Sequence, residues 1–149
     1  MATSTLVQIL EAGEPSSVMN RRQVETFLTT GTIAAGDWVA FDTTKTGADK
    51  LLSVIEAGAS ANGNATTVGV ALNAAVGTAS IPAQVEVVVS GYVEEANTNG
   101  GPAAGSPLVV QTVAGAADAA GAGITAPPCG VALAATVAGK AEVWVYKRF

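Results

Sequence analysis

The feature that most restricts what this chain can fold into is a stretch of sequence that occurs in it twice. Val68-Gly69-Val70-Ala71-Leu72-Asn73-Ala74-Ala75 returns as Cys129-Gly130-Val131-Ala132-Leu133-Ala134-Ala135-Thr136. Upstream, Ala35-Gly36-Asp37-Trp38-Val39 is echoed by Ala104-Gly105-Ser106-Pro107-Leu108, and downstream Val85-Glu86-Val87-Val88-Val89 is echoed by Ala141-Glu142-Val143-Trp144-Val145. Three matches in the same order are not a product of composition, even in a chain rich in Ala, Gly and Val. Each unit reads as a turn, a strand, a Gly-Val-Ala-Leu strand and an alternating strand. Three strands bury one face and leave their edges open, so two such units packed together complete a sandwich or barrel. The missing side chain at Gly69 and Gly130, both near strand starts, predicts a bulge or the close approach of another backbone.

The rest of the chain from Ile33 onward agrees with an all-β class. Short β-branched runs are punctuated by Gly, Asn, Thr and Pro, which places strands over 37–42, 51–56, 67–72, 84–94, 107–113, 130–134 and 141–147. In 84–94 the odd positions Val85, Val87, Val89, Gly91 and Val93 oppose Glu86, Ser90, Tyr92 and Glu94, so one face is expected in the core and the other outside. In the last run Ala141, Val143 and Val145 share a face opposite Glu142, Trp144 and Tyr146. Residues 62–66, 97–103 and 114–128 then become surface loops.

Residues 1–30 differ. They hold one glycine and show no strand rhythm. Asn20 followed by Gln23 has the form of a capping box, and Val24, Phe27 and Leu28 fall at helical spacing. Two readings stand: a short helix over 21–28 behind an extended arm, or a loosely ordered terminus. The domain plan is therefore an arm over 1–30 and a β-domain over 31–149, its units at about 33–94 and 102–149.

Composition excludes several kinds of function. The chain of 149 residues contains no histidine and one cysteine. That removes the commonest general base, every Ser-His-Asp and Cys-His arrangement, and Cys-rich zinc sites. No Walker loop is present; the segment from Gly58 to Gly63 lacks the lysine that would hold phosphates. Glu94 and Glu95 are neighbours in a strand and are expected on opposite faces, as are Asp37 and Asp42. Asp37 reads as a turn residue after Gly36, and Cys129 as a small buried hydrophobe without basic neighbours. Asn64-Ala65-Thr66 matches a glycosylation acceptor but has no signal peptide beside it. These readings give no catalytic residue, no cofactor and no metal, hence a protein that is not an enzyme.

Charge bears on partners. Only 13% of residues are charged and the net charge is −5, with seven Lys and Arg scattered along the chain. Nucleic acid is an unfavourable partner for such a surface. The uncharged window 119–139 contains Pro127-Pro128, which excludes a lipid-exposed helix, so no membrane partner is expected. A surface so poor in charge is most simply covered by other subunits, and Trp38, Tyr92, Trp144 and Tyr146 are the candidate subunit-contact residues.

The assembled motifs resemble one family. Ala-Gly-Asp-Trp-Val-Ala-Phe-Asp (35–42), Val-Gly-Val-Ala-Leu (68–72), Val-Glu-Val-Val-Val-Ser-Gly-Tyr-Val (85–93), Ala-Gly-Ser-Pro-Leu (104–108) and the closing Gly-Val-Ala-Leu and Ala-Glu-Val-Trp-Val are similar to the small capsid decoration proteins of tailed phages. The resemblance runs from Ile33 to the C-terminus. It implies a compact β-domain, often trimeric, on the outer capsid surface of the virion, where it bridges neighbouring major capsid subunits. It also implies an arm that orders on docking. Residues 3–22 are the candidate arm, with Leu6, Val7, Ile9, Met19, Asn20, Arg21 and Arg22 as the expected capsid contacts. Another virion component (tail tube, fibre or head completion) is the second reading. A carbohydrate-binding β-sandwich is the third; it wants exposed aromatics in a groove, and aromatics are 5% of this chain.

Overall fold

In the computed structural model, which describes residues 22–149, nearly every element is an antiparallel strand. In chain order these are β1 (Arg22–Thr29), β2 (Thr32–Ile33), β3 (Trp38–Phe41), a one-turn helix α1 (Asp49–Leu52), β4 (Val54–Glu56), β5 (Thr67–Ala71), β6 (Ala75–Val76), β7 (Ala83–Asn97), β8 (Pro107–Val109), β9 (Asp118–Ala119), β10 (Gly130–Ala132) and β11 (Lys140–Val145). Nine strands form one sheet in the order β4-β3-β5-β7-β11-β10-β8-β9 with β1 added on β7, and β2 pairs β6 separately.

The segments that match in sequence also match in pairing. In β3–β5–β7, Val39 faces Gly69, Trp38 faces Val70, Val70 faces Val88 and Ala71 faces Val87. In β8–β10–β11, Leu108 faces Gly130, Pro107 faces Val131, Val131 faces Trp144 and Ala132 faces Val143. The turns coincide as well. Gly36 N–H donates to Ala71 O at 2.8 Å and Gly105 N–H to Ala132 O at 2.7 Å, with the two glycines at φ +90 and +85. A β-carbon cannot adopt that left-handed conformation without strain, which accounts for glycine at both turns.

At Gly69 both expectations hold, since Val39 faces Gly69 and Ala40 faces Thr67, which leaves Val68 as an extra residue beside it; at Gly130 the close approach alone holds. A Cβ on Gly69 would lie 2.0 Å from Val88 O, and one on Gly130 would lie 2.6 Å from Trp144 O. Both glycines let the neighbouring strand's backbone come in.

The units pack on each other to make the larger core. Trp38, Val70 and Val88 of the first lie in one cluster with Leu108, Ala132, Val143 and Val145 of the second. The opposite face of the first unit, Val39, Ala71, Val85, Val87 and Val89, forms a second cluster with Phe27, Ile33, Val54 and Ala75. At about 25 cal/mol per Å² of apolar surface removed from water, these two clusters are the main source of stability in a chain without an intramolecular disulfide.

Several expectations need correction. In place of the helix expected over 21–28, the described part, Arg22–Thr29, is a strand paired along its length with β7, from Arg22 opposite Gly91 to Thr29 opposite Ala83. Pairing and burial of Phe27 in the smaller core outweigh a local capping signal, and Val24, Thr26 and Thr29 suit a strand. Residues 51–56 divide into the end of α1 and β4, leaving Leu51 and Leu52 exposed. The strand from Pro107 stops at Val109 because Asp118 accepts the Thr112 N–H at 2.9 Å and turns the chain. The two-residue strands β2, β6 and β9 are too short to carry a period.

The alternation expected in 84–94 also breaks. Val88 is fully buried although it is an even position. Gln23 faces Ser90 and Val24 faces Val88, so Val89 is an extra residue in the ladder. Beyond it Val93 joins the larger cluster with Val88, not the smaller one with Val85 and Val87. A second irregularity sits at Glu94 and Glu95, since Val143 faces Val93 and Ala141 faces Ala96. Both glutamates are consequently exposed away from the core instead of on opposite faces.

Candidate contact face

β11 places Ala141, Val143 and Val145 in the core, which turns Glu142, Trp144 and Tyr146 outward as its alternation requires. Trp144 lies directly across from Tyr92 on β7 and from Val131 on β10, and Val131 lies across from Pro107 on β8. The four side chains make a row across four strands. Tyr92, Trp144 and Val131 are half-buried and Pro107 is exposed. Tyr146 and Leu133, 40% and 45% exposed, extend the apolar surface on either side.

Comparison of the units gives this row its meaning. Pro107, Val131 and Trp144 occupy the positions held by Trp38, Val70 and Val88 in the first unit. There the same face is buried against the second unit's strands of the same sheet; here the row stays partly exposed, with Pro107 in solvent. This is therefore a sheet face with an apolar row left partly exposed.

Acidic groups border the row. Burial, then the charges of Glu142 and Glu94, raise the Tyr92 phenol above its ordinary range. The phenol stays neutral and keeps its donor at physiological pH. Glu95 turns to Lys140, with Nζ 3.8 Å from the carboxylate.

The residues expected to make contacts separate clearly. Tyr92, Trp144 and Tyr146 share the face just described. Trp38 does not: it is 0% exposed and its indole N–H donates to Asn97 O at 3.0 Å, so it is core and cannot meet a partner. Leu6, Val7, Ile9, Met19, Asn20 and Arg21 lie outside the described residues. Arg22 opens β1, half-buried, opposite Gly91. Pro107, Val131 and Leu133 were not among the expected contacts. Aligning them with the first unit was the signal that could have found them.

Other features hold the fold together. A cleft of about 180 Å³ is lined by Phe27, Phe41, Val68, Val89 and Leu51, with Glu25 and Arg148 at its rim. Phe149 also forms part of its wall: its ring sits 4.9 Å from that of Phe41, and Arg148 donates to Asn64 O at 3.4 Å. Asp37 is a turn residue as expected; its carboxylate accepts the Ala34 N–H and the Asn97 amide, both at 2.7 Å. Partial burial, and secondarily the charge of Asp37, raises the nearby Glu56 carboxyl. The Cys129 thiol is buried, donates to Leu108 O at 3.2 Å and is pushed up to about 12 by burial, far from the range of a reactive thiol. Among the described residues no group of three or more acidic or cysteine side chains is placed to hold a metal ion, and no helix is long and apolar enough to cross a membrane.

No protein-family model matches the chain, and no curated protein matches it. Among solved structures it is similar to the head fiber gp8.5 N base of bacteriophage phi29, at 13% identity and a TM-score of 0.57, over 85% of this chain and 95% of that one. At that identity the likeness is one of fold.

Proposed function

We propose that this chain is a structural, non-enzymatic protein of a phage virion, seated on the outer surface of the head, where it bridges neighbouring major capsid subunits and stabilises the shell. The observation that carries the reading is the fold likeness to a phage head-fiber base over most of both chains. The partly exposed row of Tyr92, Trp144, Val131 and Pro107 supports it, because a building block needs a face that is finished by docking. Burying one large apolar side chain contributes about 1.5–3 kcal/mol, and many copies acting over one shell multiply a modest individual affinity. We take the assembled form to be a homotrimer, with neither nucleic acid nor membrane as partner.

Binding to heads stripped of this protein tests the proposal. Purified protein is expected to co-sediment with such heads and raise their resistance to heat. Trp144→Ala together with Tyr92→Ala should abolish both effects while leaving the unfolding transition in place. Removing residues 3–21 should also abolish binding; the cut stops before Arg22 because that residue belongs to β1. Heads that gain no protein and no heat resistance would end the reading. The likeness to a head-fiber base favours one alternative, that the chain is the base of a fibre projecting from the head. Electron microscopy of loaded heads separates the two by showing compact knobs or projecting fibres.

A further inference from the structure

Two Asn-Gly pairs occur in the chain, Asn62-Gly63 and Asn99-Gly100, and the fold treats them in opposite ways. The pair matters chemically because glycine has no β-carbon to shield its amide nitrogen from the preceding side-chain amide. At Asn62 that nitrogen is occupied: Gly63 N–H donates to Ser60 O at 2.8 Å. The Asn62 carbonyl is also held, by the N–H groups of Thr125 at 3.2 Å and Ala126 at 2.9 Å. Gly63 is buried, and even a β-carbon there would meet Ala126 at 2.9 Å. The backbone at this pair is locked.

At Asn99 the residue's own N–H is held by Ala117 O at 2.9 Å, but the following nitrogen is not. Gly100 is exposed, and its N–H donates to no described residue. The side-chain amide is held by one bond, Asn99 Nδ2 donating to Asp118 Oδ1 at 2.7 Å. Asp118 is 8% exposed and its other oxygen accepts the Thr112 N–H at 2.9 Å. The Asn99–Asp118 bond ties the loop after β7 to β9. An ionised carboxylate only accepts, so the latch requires a donor at position 99.

We propose that Asn99 is a site of spontaneous deamidation in the folded protein, and that its conversion opens this latch. The Gly100 nitrogen attacks Asn99 Cγ and forms a cyclic imide. The Cγ–Nδ2 bond breaks, and Nδ2 leaves as ammonia with the proton from the Gly100 nitrogen. Water then adds to either imide carbonyl and reopens the ring, giving aspartate or isoaspartate. Amide and water become carboxylic acid and ammonia, with no oxidation and no co-reactant but water. The product places a second carboxylate against Asp118, which disfavours both charges in a part-buried setting. The latch becomes a repulsion that loosens the loop against β9, opposed by the backbone bonds from Asn99 N–H to Ala117 O at 2.9 Å and from Ala117 N–H to Asn97 O at 3.0 Å.

Incubating the purified protein at mildly alkaline pH, then mapping peptides and labelling with isoaspartyl methyltransferase, tests the chemistry. Asn99 is expected to convert at least about tenfold faster than Asn62 in the folded chain, a barrier difference of about 1.4 kcal/mol. In denaturant the two rates should become alike. Equal rates in the folded chain, or an unmodified Asn99, would overturn the site. Asn99→Asp isolates the latch: it should unfold at lower denaturant than the parent at neutral pH and recover on acidification, and adding Asp118→Asn should restore stability by exchanging donor and acceptor. Parent-like stability of Asn99→Asp at neutral pH, or no rescue by the second change, would remove the latch from the proposal.

Discussion

In the first unit β5 is buried along its whole length, whereas in the second its counterpart β10 buries Gly130 and Ala132 and leaves Val131 half in solvent. The backbone pairing is the same at the matching positions, so the difference lies in what sits on the outer face. Trp38 and Val88 face the second unit's strands of the same sheet and are sealed; Pro107 and Trp144 face outward. The same three-strand unit is buried on both faces in one place and on one face in the other. Apolar residues at equivalent positions are thus buried by folding in one unit and left at the surface in the other.

Substitutions that treat the units alike should therefore give unlike results. The largest contrast is between the tryptophans. Trp38→Ala empties the centre of the larger core and should cost about 3–5 kcal/mol in urea unfolding. Trp144→Ala should cost about 1 kcal/mol or less, as for a partly exposed surface residue. Equal losses would mean that the fold depends on Trp144 no less than on Trp38.

The glycines come next. Gly69→Ala drives a methyl group into the Val88 carbonyl and should cost about 3 kcal/mol or more, while Gly130→Ala, with 2.6 Å to the nearest backbone atom instead of 2.0 Å, should cost about 1–3 kcal/mol. A reversed order would show that the second unit is the more tightly built.

Cys129 supplies an effect that is absent at neutral pH and appears only in alkaline solution. Burial pushes its thiol up to about 12, against about 8.5 in an unfolded chain. The folded state then keeps a proton that the unfolded state loses, so stability falls as pH rises through the interval between those values. Cys129→Ala should flatten that fall, and thiol reagents should label the parent only on unfolding. Rapid labelling of the folded protein at pH 8 would contradict the burial that places Cys129 in the inter-unit core.

How much of this was legible beforehand differs by element. The alternation Ala141-Glu142-Val143-Trp144-Val145 was readable because β11 is regular and buries one face. The comparable reading of 84–94 failed at Val88 and Val93, since a long strand bearing an extra residue at Val89 changes which core it serves. The segment from Arg22 to Thr29 was misread because its capping box is local, while its partner β7 is about sixty residues away in sequence. Of the contact face, Tyr92, Trp144 and Tyr146 stood out as aromatics. Pro107 and Val131 are chemically plain and gain significance only from their neighbours.

The sequence by itself determined an all-β chain, because strand period and turn glycines are local properties. It also determined that histidine and paired-cysteine chemistry are absent, since that is a matter of inventory. Tertiary structure decided which unit would be enclosed, that Trp38 would be core and Trp144 surface, and that one Asn-Gly pair would be locked and the other open. Those outcomes depend on which faces meet across large sequence separations, and no local pattern encodes that.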